Sequence, residues 1–277
     1  RVRSSACAVP SSVGTGRFCN PIHGESSLAA TIRTIAKNWF DYIPMPDAAF
    51  SALFEAREHD PFSVLGLHAQ GADWRLRVFR PRASAVAVEL ADGAWAPLKR
   101  RSGTDLFEWQ GSAPPPRPWR LKIDGATSYD AYAFAPRPPA DDLFLFNAGR
   151  LRQAWRSQGA LPEQRDGIDG VCFRVWAPNA ERVSVVGDFN GWDGRVHPMA
   201  TLGASGVWEL FVPEIATGAL YRFELRVRGS GALRLKSDPY AQAFERRPAT
   251  ACRVTAAAAH VWNDDAWLQA RARRDWL

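Results

Sequence analysis

The chain has 277 residues, which is enough for one large or two ordinary domains, and 46% of them are hydrophobic, so wholesale disorder is excluded. No apolar run approaches the ~20 residues of a membrane-spanning helix. The net charge of +6 arises in residues 1–40 and 268–277, whereas residues 41–267 are balanced. Because nucleic-acid-binding proteins concentrate positive charge on a folded face, we expect neither nucleic acid nor a membrane as a partner.

The N-terminal residues 1–44 are rich in Ser, Gly and Pro, and they predict a poorly ordered extension with one possible helix at residues 27–40. They lack the basic region and the continuous apolar run of a secretion signal. The first methionine is Met45, and we expect the natural protein to begin there. Asp47 then suits the N-cap of a short helix whose apolar face includes Phe50.

A period-two alternation of apolar and polar residues begins at Trp74. It continues in short runs separated by Gly and Pro residues, which is typical of an antiparallel β-sandwich. We place this first sandwich within residues 45–140. Its predicted strands cover residues 74–80, 86–90, 106–109 and 119–123.

The same pattern returns further along the chain, with four segments in the same order. Residues 77–88 align with 174–185, 106–108 with 207–209, 119–120 with 221–222, and 130–133 with 238–241. Such a recurrence indicates a duplicated unit. The predicted fold class is therefore mainly β, with two tandem immunoglobulin-like antiparallel β-sandwiches and short flanking helices, and the second sandwich covers residues 168–253.

Short helices are predicted beside the second sandwich. Residues 141–167 form a linker in which residues 147–158 favour a helix. Residues 254–277 are also helical in character, with acids first and bases last, the order that the helix dipole favours. The chain stops at Trp276 and Leu277, two large apolar residues with no following element to bury them. A fold that ends on two such residues is expected to be truncated.

The sequence predicts no catalytic residues, no metal site and no cofactor. Cleavage of a glycosidic bond needs two carboxylates about 5–10 Å apart across a cleft, whereas the acids at 141–142 and 264–265 are adjacent and diverge. The five histidines never pair at metal-ligand spacing, and Gly14 and Gly16 lack the third glycine of a dinucleotide-binding loop. The four cysteines show no disulfide pattern, so we expect reduced, mostly buried thiols in a cytoplasmic protein.

The most informative motif is GDFNGWD at residues 187–193, which follows a predicted strand. Asn190 and Gly191 favour a tight turn with positive φ, and such a turn would expose Trp192 at the edge of a sheet. An exposed indole can cover the apolar face of a pyranose, and Asn190 can bond the sugar hydroxyls. Arg222, two strands further on, can add hydrogen-bond donors.

The spacing alone leaves a second interpretation of Trp192 open, in which its ring packs against a neighbouring domain. Two further tryptophans, Trp176 and Trp208, lie within alternating strands. We predict that both belong to the core.

The GDFNGW motif and the preceding FRVWAPNA, at residues 173–180, resemble the carbohydrate-binding module that lies N-terminal to the barrel in enzymes of the α-amylase superfamily. Upstream, HDPFSVLG at residues 59–66, the first sandwich and DLFLF at residues 142–146 resemble the extra N-terminal domain of bacterial 1,4-α-glucan (glycogen) branching enzymes. The resemblance covers residues 45–277, and the tandem arrangement is fairly specific to branching enzymes.

The resemblance implies an enzyme of glycogen biosynthesis that cleaves an α-1,4 linkage and rejoins the fragment as an α-1,6 branch. In that family an aspartate nucleophile, a glutamate acid/base and a second aspartate act from a (β/α)8 barrel. None of the three can be placed in this sequence. The resemblance therefore implies the non-catalytic N-terminal part of such a transferase, inactive alone, with α-glucan (glycogen or maltooligosaccharide) and the catalytic barrel as partners.

The sugar site carries over only in part. Trp192 matches the stacking tryptophan of related glycogen-binding modules, and Arg222 falls where they have a lysine. A second stacking tryptophan would lie near residues 229–235, where this sequence has none. Two alternatives stay open: a stand-alone glycogen-binding or regulatory module, and the front of a glycogen debranching enzyme.

Overall fold

The structure, a computed structural model, describes residues 47–256 and 262–274. The predicted helix at residues 27–40, the expected start at Met45 and the two terminal residues Trp276 and Leu277 lie outside this part of the chain. Within it, the three α-helices have eight residues each, and none is long and apolar enough to cross a membrane.

The first half of the described chain begins with helix α1, Asp47–Phe54, as predicted. Eight strands follow: β1 Gly66–Gln70, β2 Asp73–Phe79, β3 Val86–Glu89, β4 Trp95–Pro97, β5 Lys99–Arg100, β6 Leu106–Gly111, β7 Arg120–Ile123 and β8 Ala126–Tyr129. They form two antiparallel four-stranded sheets, ordered β1-β2-β6-β5 and β4-β3-β7-β8. Alternating apolar side chains of both sheets form one core, which includes Leu76, Val78, Val88, Phe107 and Leu121.

The second half begins with helix α2, Ala140–Asn147, and ends with helix α3, Asp265–Ala272. Between them lie β9 Gly159–Arg165, β10 Ile168–Trp176, β11 Ala180–Gly187, β12 Ala200–Thr201, β13 Val207–Pro213, β14 Leu220–Val227, β15 Leu233–Lys236, β16 Ala243–Phe244 and β17 Cys252–Arg253. One sheet is ordered β12-β13-β10-β9, and the other is ordered β11-β14-β17-β16, with β15 also paired to β14. The predicted mainly β fold of antiparallel sandwiches is confirmed.

Equivalent positions of the two sandwiches carry the same ion pair. In the first, Arg77 on β2 lies opposite Glu108 on β6, and its Nε donates to Oε1 at 3.0 Å. In the second, the aligned Arg174 on β10 lies opposite Glu209 on β13, and its Nε donates to Oε2 at 2.8 Å. Strand register and side-chain contact recur together, which supports the duplication inferred from the sequence.

A second contact recurs at the end of each sandwich. The indole Nε1 of Trp119 donates to Oδ2 of Asp130 at 3.1 Å. The hydroxyl of the aligned Tyr221 donates to Oδ2 of the aligned Asp238 at 2.7 Å. All four residues are buried. The aromatic residue differs between the two copies, but each ring supplies a donor to Oδ2 of a buried carboxylate, whose Oδ1 accepts from Arg80 in the first copy and from the N–H of Tyr240 in the second.

Each sandwich also has a first strand that the sequence analysis did not identify. Gly66 begins β1 opposite Arg77, and Gly159 begins β9 opposite Arg174. Both glycines have positive φ, +87° and +95°. The predicted linker therefore includes β9, which belongs to the second sandwich. The strand was missed because it contains Pro162 and charged residues, a composition that suits a sheet edge and shows no alternation.

The linker helix lies earlier than predicted. Residues 147–158 contain only a 3-10 turn at Ala154–Arg156, whereas α2 occupies Ala140–Asn147. Pro139 precedes α2 and two aspartates occupy its first turn, and both features favour a helix start at this point. Gly149, with a φ of +66°, then ends the helix.

The two predicted core tryptophans differ. Trp208 is buried, as predicted, but Trp176 is 54% exposed, so the prediction that it belongs to the core is wrong. Trp176 is the last residue of β10 and follows the buried Val175, so strand alternation turns its side chain to the outer face. Its ring contacts Phe146 of α2 edge-on, with centroids 6.4 Å apart.

The segment after β8 connects the sandwiches by packing on the second one. The hydroxyl of Tyr132 donates to the carbonyl of Pro198 at 3.0 Å. Two residues later, the ring of Phe134 meets Phe211 of β13 edge-on, with centroids 4.9 Å apart. Tyr132, Phe134 and Phe211 are all buried, so the two sandwiches share apolar contacts in addition to the covalent connection.

Candidate functional site

The GDFNGWD motif forms a tight turn at the end of β11. The strand ends at Gly187, and a 3-10 turn follows at Asp188–Asn190. Gly191 and Trp192 come next, each with a φ of +61°. The sequence predicted the turn and its positive φ, but the left-handed residues are Gly191 and Trp192, one position later than predicted.

A positive φ is unusual for a residue as bulky as Trp192. Left-handed backbone costs an L-residue about 1–2 kcal/mol, and such strain is found most often at functional sites. The side chain is 39% exposed, and its Nε1 donates to Oδ1 of Asp188 at 2.9 Å. The polar edge of the indole is therefore bonded within the turn, and the ring presents apolar surface.

Asn190 holds this turn from behind. Its Oδ1 accepts the amide N–H of Gly187 at 2.9 Å, and its Nδ2 donates to the carbonyl of Val185 at 2.9 Å and to Nδ1 of His197 at 3.0 Å. Both amide protons are thus used within the protein. We expected Asn190 to bond sugar hydroxyls, but its amide has only one lone pair of Oδ1 left for such a bond.

The same contacts define the protonation of His197. The two backbone partners fix which end of the Asn190 amide faces the ring, so Nδ1 of His197 must be unprotonated to accept from Nδ2. Burial lowers the pKa of His197 to about 3, and the charge of Arg80 adds to the effect. The neutral imidazole is therefore a permanent acceptor at neutral pH.

Trp192 lines a cleft of about 440 Å³, within the ~300–1,000 Å³ typical of ligand sites. The first half of the chain contributes Phe54, Glu55, Ala56 and Arg82. The second sandwich contributes Arg182, Gly191, Trp192, Asp193, Gly194, Arg195, Glu224, Arg226 and Leu233. The cleft is therefore lined by both apolar and charged side chains.

Charged pairs set the electrostatics of this cleft. Arg195 donates to both carboxylate oxygens of Asp193, at 3.0 and 2.7 Å, and this contact lowers the pKa of Asp193. Beneath them, the buried guanidinium of Arg182 donates to the carbonyl of Gly194 at 2.6 Å and to the carboxylate of Glu224. At neutral pH the cleft thus offers fixed anionic acceptors and cationic donors, which suits a neutral ligand with many hydroxyls.

Arg222 does not line this cleft. It lies on β14 opposite Val186 of β11, and its Nη2 donates to Oγ1 of Thr250. The structure brings Trp192 and Asn190 together in one turn but directs Arg222 elsewhere. Arg82 reaches the cleft from the other sandwich, and the sequence did not indicate it because no local signal connects it with the GDFNGWD motif.

The described residues contain neither a metal-binding cluster nor a reactive thiol. Over 47–256 and 262–274, no group of three or more His, Cys, Asp or Glu is arranged to hold a metal ion. Cys172 and Cys252 are free and buried. Burial raises the pKa of both thiols, which are therefore protonated at neutral pH and poor nucleophiles.

Two family models match the chain. Residues 46–132 match the N-terminal domain of alpha-1,4-glucan branching enzyme GlgB, and residues 158–241 match carbohydrate-binding module 48, the isoamylase N-terminal domain.

Curated relatives agree with these matches. The 1,4-alpha-glucan branching enzyme GlgB of Methylobacillus flagellatus is 48% identical over 235 residues, which is 83% of this chain and 32% of the relative. That of Nitrosospira multiformis is 47% identical over 240 residues, with the same two coverages. The chain thus spans about a third of the length of these relatives. A solved pullulanase type I from Bacillus subtilis, complexed with maltose, aligns with a TM-score of only 0.33 at 17% identity, over 71% of this chain and 27% of that one, and carries no argument.

Proposed function

Because this chain belongs to the 1,4-alpha-glucan branching enzyme family, of which it comprises the N-terminal domain and the carbohydrate-binding module, we propose that it contacts α-glucan chains and does not branch them by itself. The proposal covers glycogen and maltooligosaccharides as ligands. The alternatives of a stand-alone module and of a debranching enzyme are not favoured, since the first matched domain and the relatives are both of the branching-enzyme type.

The observation that supports this function is the strained, partly exposed Trp192. The surrounding hydrogen bonds hold its ring at the cleft, although the left-handed backbone would suit glycine better. We assign Trp192 the stacking contact with a pyranose ring. Asn190 positions the turn, whereas Arg222 bonds Thr250 outside the cleft.

The second partner that we propose is the catalytic barrel of the parent enzyme. Large aromatic side chains of the described chain lie exposed in two places: Phe144, Trp155 and Trp176 around α2, and Trp262 and Trp267 before and on α3. Exposed apolar surface of several neighbouring side chains usually marks an interaction site. Packing of the aromatic surface around α2 on the barrel would explain its exposure in the N-terminal part alone.

We place the protein in the cytoplasm. The support is the state of its thiols, since Cys172 and Cys252 are free and buried in separate parts of the second sandwich. Free buried thiols are typical of reducing compartments.

Affinity gel electrophoresis with glycogen tests the binding function. The 277-residue chain should be retarded by glycogen, and Trp192→Ala should remove most of the retardation. Trp155→Ala is the matched control, because it removes an indole that is 49% exposed at a site outside the cleft. Equal mobility of the parent and Trp192→Ala, with and without glycogen, contradicts the proposal.

The absence of branching by this chain is tested separately. Incubation with amylose should leave the absorbance of the amylose–iodine complex unchanged, because no pair of catalytic carboxylates is predicted in the chain. A fall in that absorbance, in a preparation free of other enzymes, would show that the chain is catalytic.

A further inference from the structure

The cleft beside Trp192 has walls from both halves of the chain. Phe54 and Ala56 lie at the end of α1, and Arg82 lies in the turn between β2 and β3. Opposite them, Trp192 and Leu233 belong to the second sandwich. If the carbohydrate-binding module bound its ligand alone, the wall formed by the second sandwich would be enough.

Backbone strain is concentrated on both walls. Six residues other than glycine have positive φ in the described chain, and three of them line this cleft: Ala56 at +52°, Arg82 at +67° and Trp192 at +61°. Residues held in such conformations cluster at ligand sites, where the surrounding structure maintains them. Two of the three belong to the first half of the chain, so the strained residues are not confined to the carbohydrate-binding module.

The positive φ of Arg82 belongs to a tight turn that the second sandwich forms without a left-handed residue. Arg80 to Ala83 form a turn closed by the N–H of Ala83 and the carbonyl of Arg80 at 3.3 Å, with Arg82 in a position that favours glycine. The equivalent turn of the second sandwich is closed by Ala180, and its aligned residue, Asn179, does not have positive φ. The duplicated fold therefore does not require a left-handed residue at this point.

Three polar contacts link the two halves of the chain near the cleft. The N–H of Thr201, on β12, donates to the carbonyl of His59 at 3.1 Å, which joins the sandwiches by a backbone hydrogen bond. Beside the cleft, Arg57 lies 3.8 Å from Glu181, and Arg82 lies 3.8 Å from Asp193. A preformed site loses less entropy when it binds a ligand than one that must assemble.

We propose that the α-glucan site is composite, with the first sandwich supplying one wall through Arg82. This inference rests on the proposed function and adds a role for the branching-enzyme N-terminal domain in it. Trp192 and Leu233 supply apolar surface for pyranose rings, and Arg82, whose side chain is 83% exposed, supplies donors to their hydroxyls. The ligand is a neutral α-1,4-linked glucose oligomer that contacts both walls at once.

Isothermal titration calorimetry of the 277-residue chain with maltoheptaose tests the composite site. Arg82→Gly removes the side chain and also relieves the positive φ, so lost binding would not reflect lost folding. We expect it to weaken binding by about threefold to tenfold, the value of one net hydrogen bond. Arg82→Lys, which keeps a donor, should bind within about twofold of the parent.

Arg120→Ala is the matched control in the same sandwich, because Arg120 pairs with Glu89 and does not line the cleft. It should bind like the parent. If Arg82→Gly binds like the parent while Trp192→Gly does not, the composite site is overturned and the proposed function stands. If Trp192→Gly binds like the parent, the proposed function itself fails. Equal binding of cellohexaose, which is β-linked, would overturn the assignment of the ligand.

Discussion

Trp192 combines an unfavourable backbone with an exposed ring, and the two properties can be separated by mutation. Trp192→Gly and Trp192→Ala both remove the indole, but only glycine relieves the positive φ of +61°. We expect the glycine variant to be more stable than the alanine variant by about 1 kcal/mol, measured by urea denaturation. Both variants should lose glycogen retention to the same extent. Greater stability of the alanine variant would show that the left-handed conformation is not held in solution.

His197 makes the stability of the same turn depend on pH. Burial holds the folded pKa of His197 at about 3, below the usual 6.5. Between these two pH values the imidazole is therefore protonated in the unfolded chain but not in the folded chain. The stabilisation is therefore complete above about pH 6.5 and falls as the pH drops towards 3, at up to about 1.4 kcal/mol per pH unit.

The comparison with His197→Gln isolates this contribution, because glutamine keeps an acceptor for Asn190 and does not titrate. Between pH 7 and pH 5 the parent should lose up to about 2 kcal/mol more unfolding free energy than the variant. Urea denaturation at the two pH values measures the difference. Parallel losses in the two proteins would mean that His197 is protonated in the folded state.

At this scale the sequence predicted the exposed tryptophan but not how its neighbours are used. The GDFNGWD pattern correctly indicates a tight turn that presents Trp192. It could not show that the amide of Asn190 points inward, because the acceptor on His197 lies beyond the turn. Arg82 was equally hidden, since its place at the cleft depends on how the two sandwiches pack.

The duplicated sandwiches provide a comparison between two equivalent ion pairs. Glu209 is fully buried and accepts from Arg174 and Arg165 at 2.8 Å each, whereas Glu108 is partly exposed and pairs with Arg77. Burial by itself would raise the pKa of Glu209, but the neighbouring guanidinium groups outweigh it and lower the pKa. Glu209 therefore stays ionised above about pH 4.5, its ordinary value, and part of the stability is lost as the pH falls below that point.

We expect Glu209→Gln to destabilise the protein by about 3 kcal/mol or more, because it leaves the buried Arg174 without a counter-charge and takes one of two carboxylate partners from Arg165. The equivalent Glu108→Gln should cost less, about 1–2 kcal/mol, because the side chain of Glu108 is 25% exposed, although Arg77 is buried. Urea denaturation of both variants at pH 7 measures the two costs. Equal costs would indicate that the buried network around Glu209 contributes no more than the partly exposed pair.

A strand could be predicted from the sequence when it is long enough to show an alternation of apolar and polar residues. Strands β2, β3, β6 and β7 alternate over four or more residues and were predicted. Strands β5, β12, β16 and β17 have two residues each, too few for any period, and their pairing depends on a neighbour. Helix α2 was displaced because its capping residues, rather than its weak apolar stripe, determine where it begins.

For the molecule as a whole, the cleft exists only because the sandwiches are packed together. Tyr132 and Phe134 of the connecting segment anchor the first sandwich on the second, and Glu209 also accepts the backbone N–H of Arg137 at 2.9 Å. The ion pair that recurs in each copy has thus gained a connecting role in the second copy. We propose two domains, residues 45–140 and residues 168–253 together with β9, whose shared contacts make them one binding unit.

The aromatic surface around α2 leads to the last prediction. If Trp176 packs on a catalytic barrel, a charge at this position should lower the melting temperature only when the barrel is present. We expect Trp176→Asp to leave the melting temperature of the 277-residue chain within about 1 °C of the parent, because the side chain is already 54% exposed. In a chimera that joins this chain to the remaining two thirds of the Methylobacillus flagellatus relative, the same change should lower it by about 2 °C or more, since it would bury a charge.

Leu235→Asp is the control for this comparison, because Leu235 is 53% exposed on β15 of the same sandwich, away from α2. It should change the melting temperatures of the chain and of the chimera by the same amount. Differential scanning calorimetry of all six proteins separates the cases. An equal effect of Trp176→Asp in the chain and in the chimera would mean that this face stays in solvent, and it would contradict the proposed packing of the barrel on it.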